Sequence, residues 1–139
     1  MTTDEVKAYL WQAYKLDKRL QREKRKLDKL RSSVEYRSPS FEGNGSGCGS
    51  ADKLGDAVTR IVERSEQVDE LAALYAKKYE EVEKCIRAVE DDALEEVLEL
   101  RYLQYLKWEE IANVMHYTER RVLQLHGLAL HKISLYFSI

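Results

Sequence analysis

The sequence predicts an all-α protein: a long N-terminal helical hairpin, coiled-coil-like, followed by three shorter helices. Three observations predict it. The 139 residues hold one proline and six glycines, so little interrupts a helix. Four of those glycines crowd between Gly43 and Gly49, just after Pro39. Apolar residues recur at spacings of three and four on both sides of that cluster, which is the helical period.

The first helix carries its stripe through Val6, Tyr9, Ala13, Leu16, Leu20, Leu27, Leu30 and Val34, with Glu23 as the one polar member. Thr2 or Thr3 can cap it, and Asp4 and Glu5 suit the positive end of the helix dipole. Ser38-Pro39 ends it. Residues 37–51 read as a flexible linker. They lack the lysine and the preceding strand of a phosphate-cradling loop. The second helix, capped by Ser50 or Asp52, carries Leu54, Val58, Ile61, Val68, Ala72, Tyr75, Tyr79, Val82, Ile86 and Val89, with Ser65 between them. Neither stripe can be buried alone. The linker allows an antiparallel pairing, and pairing between chains through 6–34 and 54–89 is the other option. The expected domains are therefore 1–90 and 91–139.

Charge is unevenly spread. Residues 1–35 carry 10 basic and 6 acidic side chains, residues 51–100 carry 7 and 15, and residues 101–139 carry 5 and 3. The net charge of −2 hides a basic arm, an acidic middle and a mildly basic tail. The basic run from Lys15 to Arg31 reads as a solvated face paired with the acidic second helix, in preference to a DNA-phosphate contact. No apolar run approaches the ~18 residues of a membrane span. The opening residues lack a secretory pattern, and two cysteines make no disulfide scaffold, so a cytoplasmic protein is expected.

The last 49 residues hold the functional signal. Asp91-Asp92 can cap a third helix through Leu94, Val97, Leu98 and Tyr102. After a break at 105–107, Trp108–Met115 forms a short helix with Ile111, Ala112 and Met115 inward. His116-Tyr117 makes a corner where a positive φ is wanted, and Thr118 caps a last helix. Ile111, Met115, Tyr117, Val122 and Leu125 are the expected locking positions. Short helix, tight turn, capped helix is the helix-turn-helix pattern.

On the last helix Val122, Leu125, Ala129 and Ile133 share one side. Arg120, Gln124, Gly127 and His131 lie opposite, flanked by Arg121, Leu123 and Leu128. The candidate DNA-binding residues are thus Thr118, Arg120, Arg121, Leu123, Gln124, Gly127, Leu128, His131 and Lys132. Arg120 suits guanine and Gln124 adenine, while Arg121 and Lys132 suit phosphates. His116, His126 and His131 lack metal-ligand spacing, and no nucleophile or carboxylate pair is arranged for catalysis. No metal, cofactor or enzymatic activity is expected.

Residues 94–133 resemble region 4 of sigma-70 type factors. The likeness runs from Trp108-Glu109-Glu110-Ile111-Ala112 through Tyr117-Thr118-Glu119-Arg120-Arg121-Val122-Leu123-Gln124 to Ala129-Leu130-His131-Lys132-Ile133. Arg121 and Gln124 fall on its DNA-reading positions, and Leu123 stands where its pattern has Arg. The stretch from Lys7 to Asp17, the run Leu98–Leu103 and the ending Leu125–Leu130 widen the likeness to nearly the whole chain. They resemble a phage and prophage family similar to ArpU-type late-transcription regulators. That resemblance implies a phage-type transcriptional regulator in a bacterial cytoplasm, binding double-stranded DNA and RNA polymerase. The alternatives are a DNA-packaging adaptor resembling a small terminase subunit, and a polymerase-binding module that makes no DNA contact.

Overall fold

A computed structural model describes residues 1–37 and 48–137, with side-chain surroundings for 1–34 and 53–137. Every regular element among these residues is helical. Helix α1 (Thr3–Leu10) starts where Thr2 and Glu5 cap each other. The Glu5 amide donates to Thr2 Oγ1 and the Thr2 amide to Glu5 Oε2, both at 3.2 Å. Trp11 separates α1 from α2 (Gln12–Arg37) but keeps right-handed helical dihedrals. Its amide still bonds to Lys7 O and its carbonyl accepts from the Lys15 amide.

Helix α3 runs from Cys48 to Arg87, about 60 Å at 1.5 Å per residue. Most of the expected linker at 37–51 lies outside the described residues. Its end does not, because α3 begins ahead of Ser50 and Asp52. Glu90, at φ 55°, turns the chain out of α3. Asp91 then caps α4 (Asp92–Leu98), its carboxylate accepting from the Leu94 amide at 3.1 Å.

Helix α4 widens into a π-helical turn over Glu99–Leu103, closed by Gln104 N–H to Glu99 O at 3.0 Å. Tyr105, at φ 61°, ends it, and α5 (Trp108–Met115) and α6 (Glu119–Phe137) follow. No described helix is long and apolar enough to cross a membrane.

The chain divides into two compact units at 17 and 75, where the expected boundary lay at 90. The cut falls inside α2 and α3 because each stripe changes its partner partway along. In the unit formed by Met1–Asp17 and Tyr75–Ile139, helices α1, α4 and α5 all pack against α6. Val6, Leu10, Ile86, Leu98, Ile111 and Ile133 have next to no exposure there.

The other unit, Lys18–Leu74, holds the rest of α2 and α3. Here the two run antiparallel within one chain. Arg19 and Glu23 share a groove with Arg64 through Leu74, while Leu30 shares one with Arg60 through Gln67. Leu20 and Leu27 of α2 and Val68 and Leu71 of α3 are buried. The Arg64 guanidinium donates to Glu23 Oε2 at 2.9 Å. That bond, helped by Lys26, holds the Glu23 carboxyl below its ordinary range. The stripe of α3 is not buried throughout: Leu54 and Val58, expected in the seam, are exposed.

Candidate nucleic-acid interface

The turn between α5 and α6 follows from backbone chemistry. His116 takes left-handed dihedrals, φ 59° and ψ 38°, and its amide donates to Ala112 O. The Tyr117 amide donates to the same carbonyl at 3.1 Å. Histidine bears this conformation at a modest steric cost that glycine escapes. Thr118 then caps α6, its Oγ1 accepting from the Arg121 amide at 3.1 Å. Ile111, Ala112, Val122 and Leu125 are buried and lock the two helices, and Met115 is half-buried against them. Tyr117 is the exception among the expected locking residues. It is exposed, because the left-handed residue before it swings its side chain out of the interhelical seam.

Below the turn lies a polar-aromatic centre. The Trp108 edge meets the His126 ring with centroids 4.6 Å apart, and His126 stacks on Tyr102. The Tyr102 hydroxyl and His126 Nε2 share a 2.6 Å hydrogen bond. Burial, then the charges of Lys7 and Arg101, pushes the His126 pKa down to about 4, so the ring is neutral near pH 7. Burial raises the Tyr102 hydroxyl well above its ordinary value.

The Arg101 guanidinium lies between two indoles, 4.3 Å from the Trp108 ring centroid and 4.9 Å from that of Trp11. It also donates to Leu106 O at 2.9 Å. Planar, weakly hydrated Arg is suited to such a site, where a Lys ammonium is not. The centre joins three stretches of chain and fixes α6 from below. A cation inside the mostly apolar run from Leu100 to Leu103 was its only trace in the sequence.

All nine candidate DNA-binding residues are exposed. Thr118, Arg120, Arg121, Leu123, Gln124, Gly127, Leu128, His131 and Lys132 lie at the start of α6 or on its free surface. Val122, Leu125, His126, Ala129, Leu130 and Ile133 take the buried side. Arg120, Arg121 and Lys132 make no ion pair among the described residues, so their charge is available to a ligand. A Cβ at Gly127 would meet nothing within 4 Å. Gly127 is therefore not required by packing, and its bareness only lets a ligand come close.

Residues 91–134 match the family described as Sigma-70, region 4. The matched segment is about a third of the chain, and the family it matches is a DNA-binding helix-turn-helix domain. Domains of this family bind DNA and RNA polymerase-related partners. No curated protein and no solved structure is similar enough to the chain to match it. The region 4 segment does not complete its own core. Val6, Leu10 and Ala13, all outside the match, are fully buried in the same cluster as Ile111, Val122 and Ile133.

Proposed function

We propose that the chain is a phage-type transcriptional regulator that reads double-stranded DNA with α6, in the cytoplasm of a bacterial host. One observation carries the reading: the solvent face of an anchored recognition helix presents Arg120, Gln124 and unpaired cations. In this reading the start of α6 enters the major groove. Arg120 donates two bonds to a guanine, Gln124 pairs with an adenine, and Arg121 and Lys132 neutralise phosphates. Residues 101–139 carry only 5 basic against 3 acidic side chains, so affinity is modest. A second copy of the chain or the polymerase then holds the regulator on its site.

The test is selection from a random duplex pool at stated salt, followed by titration. Arg120→Ala and Gln124→Ala should each relax discrimination at one base position by about 1–3 kcal/mol. Equal affinity for selected and random duplexes, unmoved by either variant, overturns the reading.

One observation favours a second reading. Leu128 and Leu135 are 56% and 54% exposed and lie seven residues apart on α6. Two leucines on one face suit a protein partner better than phosphates. Recovery of RNA polymerase by a chain that does not retard DNA supports that reading.

A further inference from the structure

The basic run of α2 was expected to be neutralised by the acidic α3. For Arg22, Arg25 and Lys29 that pairing is not found among the described residues. The ion pair linking the two helices runs the other way, from Arg64 of α3 to Glu23, an acid of α2. Lys26 pairs only with Glu23 of its own helix. Arg22, Arg25 and Lys29 are exposed and have no hydrogen bond or ion pair among the described residues.

Their spacing is the second observation. Lys18, Arg22, Arg25 and Lys29 fall four, three and four residues apart, which is one face of a helix. That face lies opposite the one that buries Leu20 and Leu27. Cations at such spacings repel and cost helix stability unless something else uses them. The other residues of the face are Gln21, Lys26, Ser32 and Ser33, all exposed and none apolar. Glu23 lies on the buried side, and Asp28 on the flank with Lys24 and Arg31.

The composition of the face selects its ligand. A membrane surface helix needs an apolar face to insert. Single-stranded nucleic acid needs aromatic side chains on which bases stack. A protein interface needs buried aromatic or apolar anchors. The stripe offers none of these. Its unpaired cations, Arg22, Arg25 and Lys29, offer evenly spaced charge over about 10 Å of helix. Along a duplex strand, phosphates recur every ~3.4 Å of axis.

We propose that Arg22, Arg25 and Lys29 of α2 form a second, sequence-independent contact with the phosphate backbone of duplex DNA. The inference shares its ligand with the function proposed above but none of its residues. The stripe supplies affinity and α6 supplies discrimination.

The test compares three full-length chains on a selected duplex and on a random one, from 50 to 200 mM salt. Arg22→Gln, Arg25→Gln and Lys29→Gln together should weaken binding to both duplexes alike. They should lower the slope of log affinity against log salt by about 3. The advantage of the parent chain then shrinks roughly 40-fold across that salt range. Helical circular dichroism should be unchanged and thermal stability equal or slightly higher, since repulsion is removed. Lys53→Gln, Lys77→Gln and Lys84→Gln, which remove the same charge from exposed positions on α3, should leave the slope within about 1 of the parent.

An unchanged slope in the α2 variant overturns the proposal. So does an equal fall in the α3 control, which would make the effect one of net charge. If Arg120→Ala and Gln124→Ala change nothing while the α2 variant loses its slope, the α6 reading fails and this one stands.

Discussion

The two compact units use the same apolar periodicity to different ends. In the unit built on α6, residues from both ends of the chain meet around a full core. Trp11, Arg101, Tyr102, Trp108 and His126 interlock at its centre. In Lys18–Leu74, two helices bury four aliphatic side chains among the described residues and leave Leu54, Val58, Val62 and Leu74 exposed. A stripe at spacings of three and four shows that a face will be covered, not how deeply or by what. Depth comes from the number of elements that converge, and only the first unit has several.

Core truncation should break this contrast most visibly. Leu10 is fully buried and lies outside the region 4 match. Leu10→Ala should cost about 3–5 kcal/mol, because a site walled on several sides cannot collapse around the void. Leu27→Ala, in the thin hairpin, should cost about 2 kcal/mol, since α2 and α3 can close up and water is near. Both tryptophans of the chain, Trp11 and Trp108, belong to the first unit. Urea unfolding followed by tryptophan fluorescence should therefore move for Leu10→Ala and stay put for Leu27→Ala. Circular dichroism should report both losses. Equal fluorescence shifts would sink the distinction.

The same residues mark what the sequence made legible. Local rules were readable because they depend on a few neighbours: the Thr2, Asp91 and Thr118 caps, the break at 105–107, and the left-handed His116. The sides of α6 were readable because it packs on one face. The stripe from Val6 to Val34 was also correct as a pattern. What it could not show is that Val6 and Ala13 belong to the core built around α6 while Leu20 and Leu27 lie in the α2–α3 hairpin. Leu10 falls outside the stripe altogether, yet it is as buried as Val6. A helix with neighbours on two sides needs a wider apolar arc than one seam. The Arg101 sandwich was hidden for a similar reason. Its indoles come from positions 11 and 108, and no local spacing links them.

The second way to sharpen the contrast is acid. His126 is 6% exposed and holds its pKa near 4, against an ordinary 6.5. Between these values the unfolded chain binds the proton and the folded chain does not. Stability should therefore fall as pH drops from about 6.5 to about 4, with no further loss from this group below that. The full loss is at most about 3 kcal/mol. The fluorescence-detected urea midpoint, measured across pH, should show it. His126→Gln, which keeps a hydrogen-bonding partner for the Tyr102 hydroxyl but cannot titrate, should flatten that dependence. A flat profile in the parent chain would mean that water reaches the ring.

The smallest expected effect is a gain, and it separates the cost of the turn from the strength of the core beneath it. His116 is exposed, has no hydrogen bond through its side chain among the described residues, and sits at φ 59°. Its side chain therefore contributes little, while its Cβ is crowded against the following carbonyl. Glycine removes that crowding but gives the unfolded chain more freedom, so the two effects oppose each other. At a left-handed position the steric relief is the larger. His116→Gly should stabilise the first unit by about 0.5–1 kcal/mol, read as a higher urea midpoint by tryptophan fluorescence. Because Thr118 still caps α6 and the outer face is untouched, DNA affinity should stay where it was. A loss of stability would show that His116 holds the turn through its side chain, and that the backbone conformation alone does not account for the corner.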